Sequence, residues 1–255
     1  MQTNKVQFSV AAHAAWAPNL VTNQEWNDWA EAPFVIQAGA EPSVLKMPSM
    51  LRRRAGFLGK MALEVAYQCL DGRTSDQHTI PTVFCSRHGD VSRAMELLAN
   101  VVQNEPLSPT SFGLAVHNAS AGLFSIARSD QANHIALAAG QCTIEHGVIE
   151  ACSLLADGAP SVLLVVFDNC LPSLLSQFED CEEQPHAWAW LMVPAVSAVS
   201  AERNVIQLSW KAVEPNLPEQ NAMPASLEVL KFYLRGDPVF ERTAERRLWS
   251  WSRSA

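Results

Sequence analysis

His134-Ile135-Ala136-Leu137-Ala138-Ala139-Gly140-Gln141-Cys142 is a short apolar run that breaks on a glycine, and a helical pattern follows from Thr143 to Asp157. Ile144, Val148, Ala151 and Leu155 recur in that pattern at the spacing of one helix face. Gly158 stops it, since glycine accepts the left-handed conformation common at helix ends. Ser161 to Phe167 is then apolar throughout, the mark of a strand covered on both faces. Strand, tight turn, helix and central strand in this order predict a right-handed crossover and an α/β fold.

The flanking sequence extends the pattern. Thr82 to Cys85 reads as a buried strand. Asp90 to Val102 reads as a helix with Asp90 or Ser92 at its N-cap. Leu51 to Leu70 predicts one long helix with Leu58, Met61, Ala62, Val65 and Ala66 on its inner face, ended by Asp71-Gly72. Val6 to Ala12, Ala187 to Val193 and Val205 to Trp210 read as strands, the last fading at Lys211 and Ala212. Asn23 to Ala32 is a helix closed by Pro33, with Trp26 and Trp29 on a packed face. Ser226 to Leu234 is a short helix after a proline-rich loop from Pro215 to Pro224, and Phe240 to Trp251 is an aromatic, basic tail. Phe112 to Arg128 is dense in small residues, which suit a crowded interior or an interface.

Apolar residues make up 48% of the 255-residue chain and charged residues 17%, enough for a sizeable core and too apolar for disorder. One domain over residues 1–255 is the expectation. The net charge of −8 argues against general nucleic-acid binding, which needs a basic face. The basic clusters at Arg52-Arg53-Arg54 and around Arg242, Arg246 and Arg247 read as solvated surface; an acidic partner is the sharper alternative. None of the six cysteines lies in a Cys-x-x-Cys pair or at zinc spacing from histidine, so no metal and no cofactor are expected. No secretory leader and no run of about 20 apolar residues is visible, so a reduced, cytoplasmic protein without a membrane span is expected.

Within Cys85-Ser86-Arg87-His88-Gly89-Asp90 a cysteine, a histidine and an aspartate fall close together, but catalytic triads converge from distant segments, and capping is the preferred reading. His117 beside Asn118 reads as helix-interior packing with a backbone hydrogen bond. Glu145 and Glu150, five apart, do not share a helix face well enough for paired-carboxylate chemistry.

Thr110-Ser111-Phe112, His117-Asn118-Ala119-Ser120-Ala121-Gly122, Ile126-Ala127, the Gln141 turn, Glu150-Ala151 and Ala156-Asp157-Gly158 together resemble the N-terminal half of a β-ketoacyl synthase. The nearest likeness is to the chain-length-factor group found with aryl polyene pathways, most marked from about Arg52 to Asp168. The resemblance implies a thiolase-like α/β fold, truncated to mainly the N-terminal half, with a mixed sheet and buried helices. It places Gln141 at the position of the family's cysteine nucleophile. A carboxamide cannot attack a thioester, because its nitrogen lone pair is delocalised into the carbonyl. Cys142, one residue on, is turned by about 100° on a helix and is expected to point away. Of the two histidines that the family draws from its second half, neither has a counterpart: after Gln141 only His146 and His186 remain, outside any matching motif, in a chain too short for a complete second half.

The resemblance therefore implies no catalytic residue, with Gln141 vestigial. It implies a heterodimer with a catalytic ketosynthase, reached by acyl carrier protein through that partner. Its interface is expected at Phe112 to Ala127 and at the strand His134 to Ala139, with Leu114, Val116, His117, Asn118 and Phe124 at the acyl tunnel or interface. The Gln141 amide is expected to hydrogen-bond backbone, or else to donate to a thioester carbonyl. An acyl-thioester transferase or hydrolase using Cys142 or Cys85, and a homodimeric scaffold, are the alternatives.

Overall fold

The computed structural model describes residues 4–72, 79–195, 205–214 and 223–254. The chain runs β1 (Asn4–Trp16), α1 (Asn23–Glu31), α2 (Ser49–Arg52), α3 (Phe57–Cys69), β2 (Thr82–Cys85), α4 (Val91–Val102), α5 (Pro109–Ala115) and α6 (Ala119–Arg128). It continues with β3 (His134–Leu137), a 3-10 turn (Gly140–Cys142), α7 (Thr143–Ala156), β4 (Val162–Asp168), a second 3-10 segment (Ser173–Phe178), β5 (His186–Pro194), β6 (Val205–Ala212), α8 (Ala225–Arg235), β7 (Val239–Ala244) and β8 (Arg247–Ser254).

The strands form one mixed sheet in the order β3-β2-β4-β5-β1-β6-β8-β7. β2 lies parallel to β3 and β4, and every other pairing is antiparallel. Side-chain alternation divides the core between the two faces. Val162, Leu164 and Val166 join Val83, Cys85, Trp188, Trp190 and the inner side chains of α1, α7 and α8. Leu163, Val165 and Phe167 join Phe84, Ala187, Ala189 and the inner side chains of α3 and α6. The result is three layers, helices–sheet–helices, with β4 buried along its whole length.

The predicted strand at Thr82–Cys85 and the helix from Thr143 are present as expected. Three elements differ. The helix expected over Leu51–Leu70 is broken into α2 and α3, because Gly56 caps α3 in an extended conformation and lies against Arg93 Nη2, where a Cβ would stand only 2.8 Å away. The small-residue stretch forms two helices, α5 and α6, parted at the extended Val116. Phe240–Trp251 is a β-hairpin rather than a tail, and β8 supplies the pairing that carries β6 through Lys211 and Ala212. The loop expected at Pro215 to Pro224 lies largely outside the described residues; Pro224 sits at the N-cap of α8.

Candidate functional site

β3 ends at Leu137, and the chain turns through Gly140, which has a positive φ of 52°, into the 3-10 turn and α7. Thr143 fixes the turn: its hydroxyl accepts from Ala139 N at 3.0 Å and donates to the Gly140 carbonyl at 2.8 Å. Gly147 lets α7 approach the sheet, since a Cβ there would overlap Cys85 Sγ. The 3-10 turn runs straight into α7, so Cys142 N donates to the Ala139 carbonyl and Thr143 N to the Gly140 carbonyl, while this helix end remains the positive pole of its dipole.

The side chains around that pole are the chain's own. Glu145, in the first turn of α7, is fully buried, and its Oε1 accepts from Arg242 Nη1 at 3.0 Å. The same nitrogen donates to the Gln141 carbonyl at 3.2 Å, and Arg242 Nε lies 3.6 Å from Glu228 Oε2. Burial raises the Glu145 carboxyl pKa, and the Arg242 cation counteracts part of that rise. Arg242 comes from β7, so the C-terminal hairpin reaches over the turn.

Gln141 is half-buried, and its Nε2 donates to Asp180 Oδ2 at 2.9 Å. This corrects the expectation of a backbone hydrogen bond: a carboxylate takes the amide. Asp180 also accepts from Arg87 Nη2 at 2.7 Å, and Arg87 Nη1 donates to Glu183 Oε1 at 3.1 Å. Burial disfavours both charges, but Arg87 and Gln141 together hold the Asp180 carboxyl below its ordinary pKa, and the carboxylates hold the Arg87 guanidinium above its own. Ser86 Oγ and Arg87 N donate to Asp168 Oδ1 at 2.8 and 2.9 Å. Burial nevertheless lifts the Asp168 pKa to about 6. Potential ligand atoms of Asp180, Cys181 and Glu183 lie within 4.8 Å of one another, but Arg87 bonds all three residues and already supplies the positive charge there.

Cys142 is buried and lies beside the Trp249 side chain; burial, with Glu145 and Glu245 nearby, pushes its pKa up to about 12. A thiol so protonated is a poor nucleophile. Burial likewise raises the Cys85 pKa, with Asp168 adding to the effect. His146 Nδ1 donates to the Cys142 carbonyl at 2.9 Å, and the His146 ring packs edge-on to Trp249 at 5.5 Å. His186 is fully buried between the Gln184 carbonyl and Ser226 Oγ, and burial lowers its pKa to about 4.

The other expected site residues separate. Leu114, Val116 and His117 line a shallow, solvent-open groove with Arg54, Asp90 and Phe167. His117 sits between α5 and α6 rather than inside a helix, and its Nε2 meets the Ser86 carbonyl at 2.9 Å. Asn118 is exposed at the start of α6 and makes no side-chain cap bond. Phe124, expected at the tunnel or interface, is instead packed in the chain's own core, with ring centroids 5.2 Å from Tyr67 and 5.9 Å from Phe84. Arg87, Asp180 and Glu183 meet only through contacts more than ninety residues apart and carry no local sequence signal. Arg242, expected on a solvated basic surface, is instead buried, because Glu145 and the Gln141 carbonyl take its guanidinium.

One surface is left uncovered. α4 and α5 contain no buried residue, and Leu98, Val101, Val102, Leu107, Phe112 and Val116 are exposed on or between them. β3, which packs against α6 and α7, is an edge strand hydrogen-bonded on one side to β2 among the described residues. Among the described residues no helix is long and apolar enough to cross a membrane.

No protein of curated function matches the chain in sequence. Among solved structures, it is similar to a chain of the ketosynthase (ApeO) in complex with its chain length factor (ApeC) from Xenorhabdus doucetiae, at 25% identity and a TM-score of 0.82, covering 97% of this chain and 100% of that one. The ishigamide ketosynthase/chain length factor follows at 12% identity and a TM-score of 0.66, covering 98% of this chain and 100% of that one. The AntDE:AntF complex, a type II polyketide acyl carrier protein with its ketosynthase, gives 10% identity and a TM-score of 0.69 over 98% of this chain and 99% of that one. The last two share the fold with this chain. Residues 26–252 match the family described as beta-ketoacyl synthase, N-terminal domain, and the chain belongs to that family.

Proposed function

We propose that this chain is a non-catalytic, ketosynthase-like subunit of chain-length-factor type, which pairs with an active β-ketoacyl synthase in aryl polyene or related type II fatty-acid-like synthesis. The observation that carries the reading is the amide at the turn before α7: Gln141 has no nucleophilic electron pair, and its Nε2 is engaged by Asp180. The buried state of Cys142 and its raised pKa speak against the alternative nucleophile. The likeness to a ketosynthase–chain length factor complex over nearly the whole chain supports the choice of partner.

The uncovered arm α4–α5 and the open edge of β3 supply the surface for that partner. Burying apolar side chains stabilises association by roughly 25 cal/mol per Å2 before the costs of binding are subtracted. Leu114 and Val116 remain candidates for the tunnel end, with Asn118 on the same surface. Phe112, 61% exposed, joins them, whereas Phe124 is already used within the fold. Acyl carrier protein reaches the complex through the partner.

The test is reconstitution. Purified ketosynthase is assayed with carrier-bound substrates, with and without this chain, and product lengths are read by mass spectrometry. The expected result is a stable heterodimer and a change in activity or chain length. Unchanged products, or a homodimer that ignores the ketosynthase, would favour the scaffold reading.

A further inference from the structure

We propose that the β7–β8 hairpin is an internal plug, filling the space at the start of α7 that a thioester would need, so that this subunit offers its partner a surface but holds no acyl group itself. The inference rests on the ketosynthase-like reading of the Gln141 turn and goes beyond it. Loss of the nucleophile explains why no bond forms; the plug explains why no acyl group is seated.

Three contacts from one hairpin make the plug. Arg242 of β7 bonds both the Gln141 carbonyl and the Glu145 carboxylate. Glu245, at the hairpin tip, lies over Gly140, with its Oε1 2.8 Å from where a Cβ would stand. Trp249 of β8 lies against His146 and Cys142. The positive pole of α7, suited to a thiolate or an oxyanion, is thus met by the protein's own Glu145, itself neutralised by Arg242. The hairpin is held in the sheet by eight β6–β8 residue pairs and by buried Trp249 and Trp251, so it is a fixed part of the fold rather than a mobile lid. Its tip makes the two-residue turn Glu245-Arg246, with φ values of 48° and 63°. Glycine suits such positions better than glutamate, so removing the Glu245 side chain by glycine leaves the turn intact.

The test restores the nucleophile and asks whether it is acylated. The full-length Gln141→Cys variant is incubated with excess hexanoyl-N-acetylcysteamine. In the reaction, the sulfur introduced by that substitution would attack the thioester carbonyl, forming a new S–acyl bond and expelling N-acetylcysteamine, which leaves with the proton. Intact mass and peptide mapping are expected to show no hexanoyl group at the substituted position. Adding Glu245→Gly and Trp249→Ala to Gln141→Cys is expected to give acylation there at least ten times the detection limit. Should the triple variant not fold, Gln141→Cys with Glu245→Gly alone carries the same comparison. Acylation of the single variant, or no gain on shaving a folded hairpin, would overturn the plug. Neither outcome touches the partner reading, which is decided by product length.

Discussion

The α4–α5 arm and the start of α7 treat their side chains in opposite ways. In the arm, Val102 is 82% exposed and Phe112 61%, and none of the described residues covers them. At the start of α7, 101 residues separate Gln141 from Arg242, yet the two are joined by a hydrogen bond, and a carboxylate as costly to bury as Glu145 is enclosed with its counter-ion. A surface left apolar gains stability only when another molecule covers it. A site filled by the chain's own groups gains nothing from a ligand. In the proposed function the contrast places this protein's work on its exterior, where a ketosynthase would bind, and the predictions either remove the contrast or sharpen it.

The largest effect is expected inside. Arg242→Met leaves Glu145 buried without its cation, and breaking a buried pair from one side typically costs about 3–5 kcal/mol. Urea unfolding should show that loss for the single variant. Glu145→Gln combined with Arg242→Met should recover most of it, because no lone charge then remains buried. Binding to the partner ketosynthase, where the variant is folded, should be unchanged. An equal loss for the single and double variants would mean that Arg242 acts by packing alone.

A pH series probes the same interior through two groups of opposite sign. Asp168 has a folded pKa of about 6 against an ordinary 3.8, so the folded state binds more protons between about pH 4 and 6, and this group's contribution falls as pH rises through that window. His186 has a folded pKa of about 4 against 6.5, so the unfolded state binds more protons there, and its contribution rises with pH up to about 6.5. The two oppose each other in the native protein. Asp180, held below its ordinary pKa, adds a loss of stability that sets in only at lower pH. In Asp168→Asn the rise with pH between about 4 and 6.5 should steepen relative to the parent, because His186 and the likewise lowered His13 are then opposed by Glu145 but no longer by Asp168. In His186→Gln the slope should shift the other way. Parallel slopes in both variants would show that neither group titrates as its burial implies.

The arm is tested by charge. Phe112→Asp should weaken association with the ketosynthase about a hundredfold, close to 2.7 kcal/mol. Its unfolding free energy should stay within about 0.5 kcal/mol of the parent, as surface changes usually do. Titration calorimetry and urea melts measure the two separately. Unchanged affinity would move the interface off this helix, and a lower melting stability would show that the arm is covered within the chain after all.

How much of this was legible in sequence follows from the range over which each feature is encoded. β4 could be read because seven consecutive buried positions leave an apolar run, and α7 because Ile144, Val148, Ala151 and Leu155 repeat at helical spacing. Both signals are local. The hairpin does not stand out although Trp249, Ser250, Trp251 and Ser252 alternate as a strand should, because Arg246 and Arg247 beside them read as a basic surface. The polar cluster had no local signature: Arg87 and Asp180 lie 93 residues apart and become partners only when the loop after β4 returns over the Gln141 turn. Gln141 itself stood out only through the family pattern around it, and its bond to Asp180 required the fold.

The smallest effect is expected where α7 meets the sheet. Gly147→Ala would place a methyl group onto Cys85 Sγ, with Leu164 Cδ1 at 3.3 Å behind it. Overpacking of this kind costs about 1–3 kcal/mol, and the helix preference of alanine over glycine returns up to about 1 kcal/mol, so a net loss of about 1–2 kcal/mol is expected. Cys85→Ala in the same chain removes the sulfur and makes room for the new methyl, so the second substitution should cost less in the Gly147→Ala background than alone. That coupling distinguishes a steric contact from two independent losses. Because Gly147 is buried under the turn and far along the chain from the arm, affinity for the ketosynthase should hold while stability falls. A parallel drop in affinity would show that the spacing of α7 from the sheet is felt at the partner surface, and the separation between a closed interior and an open exterior would no longer stand.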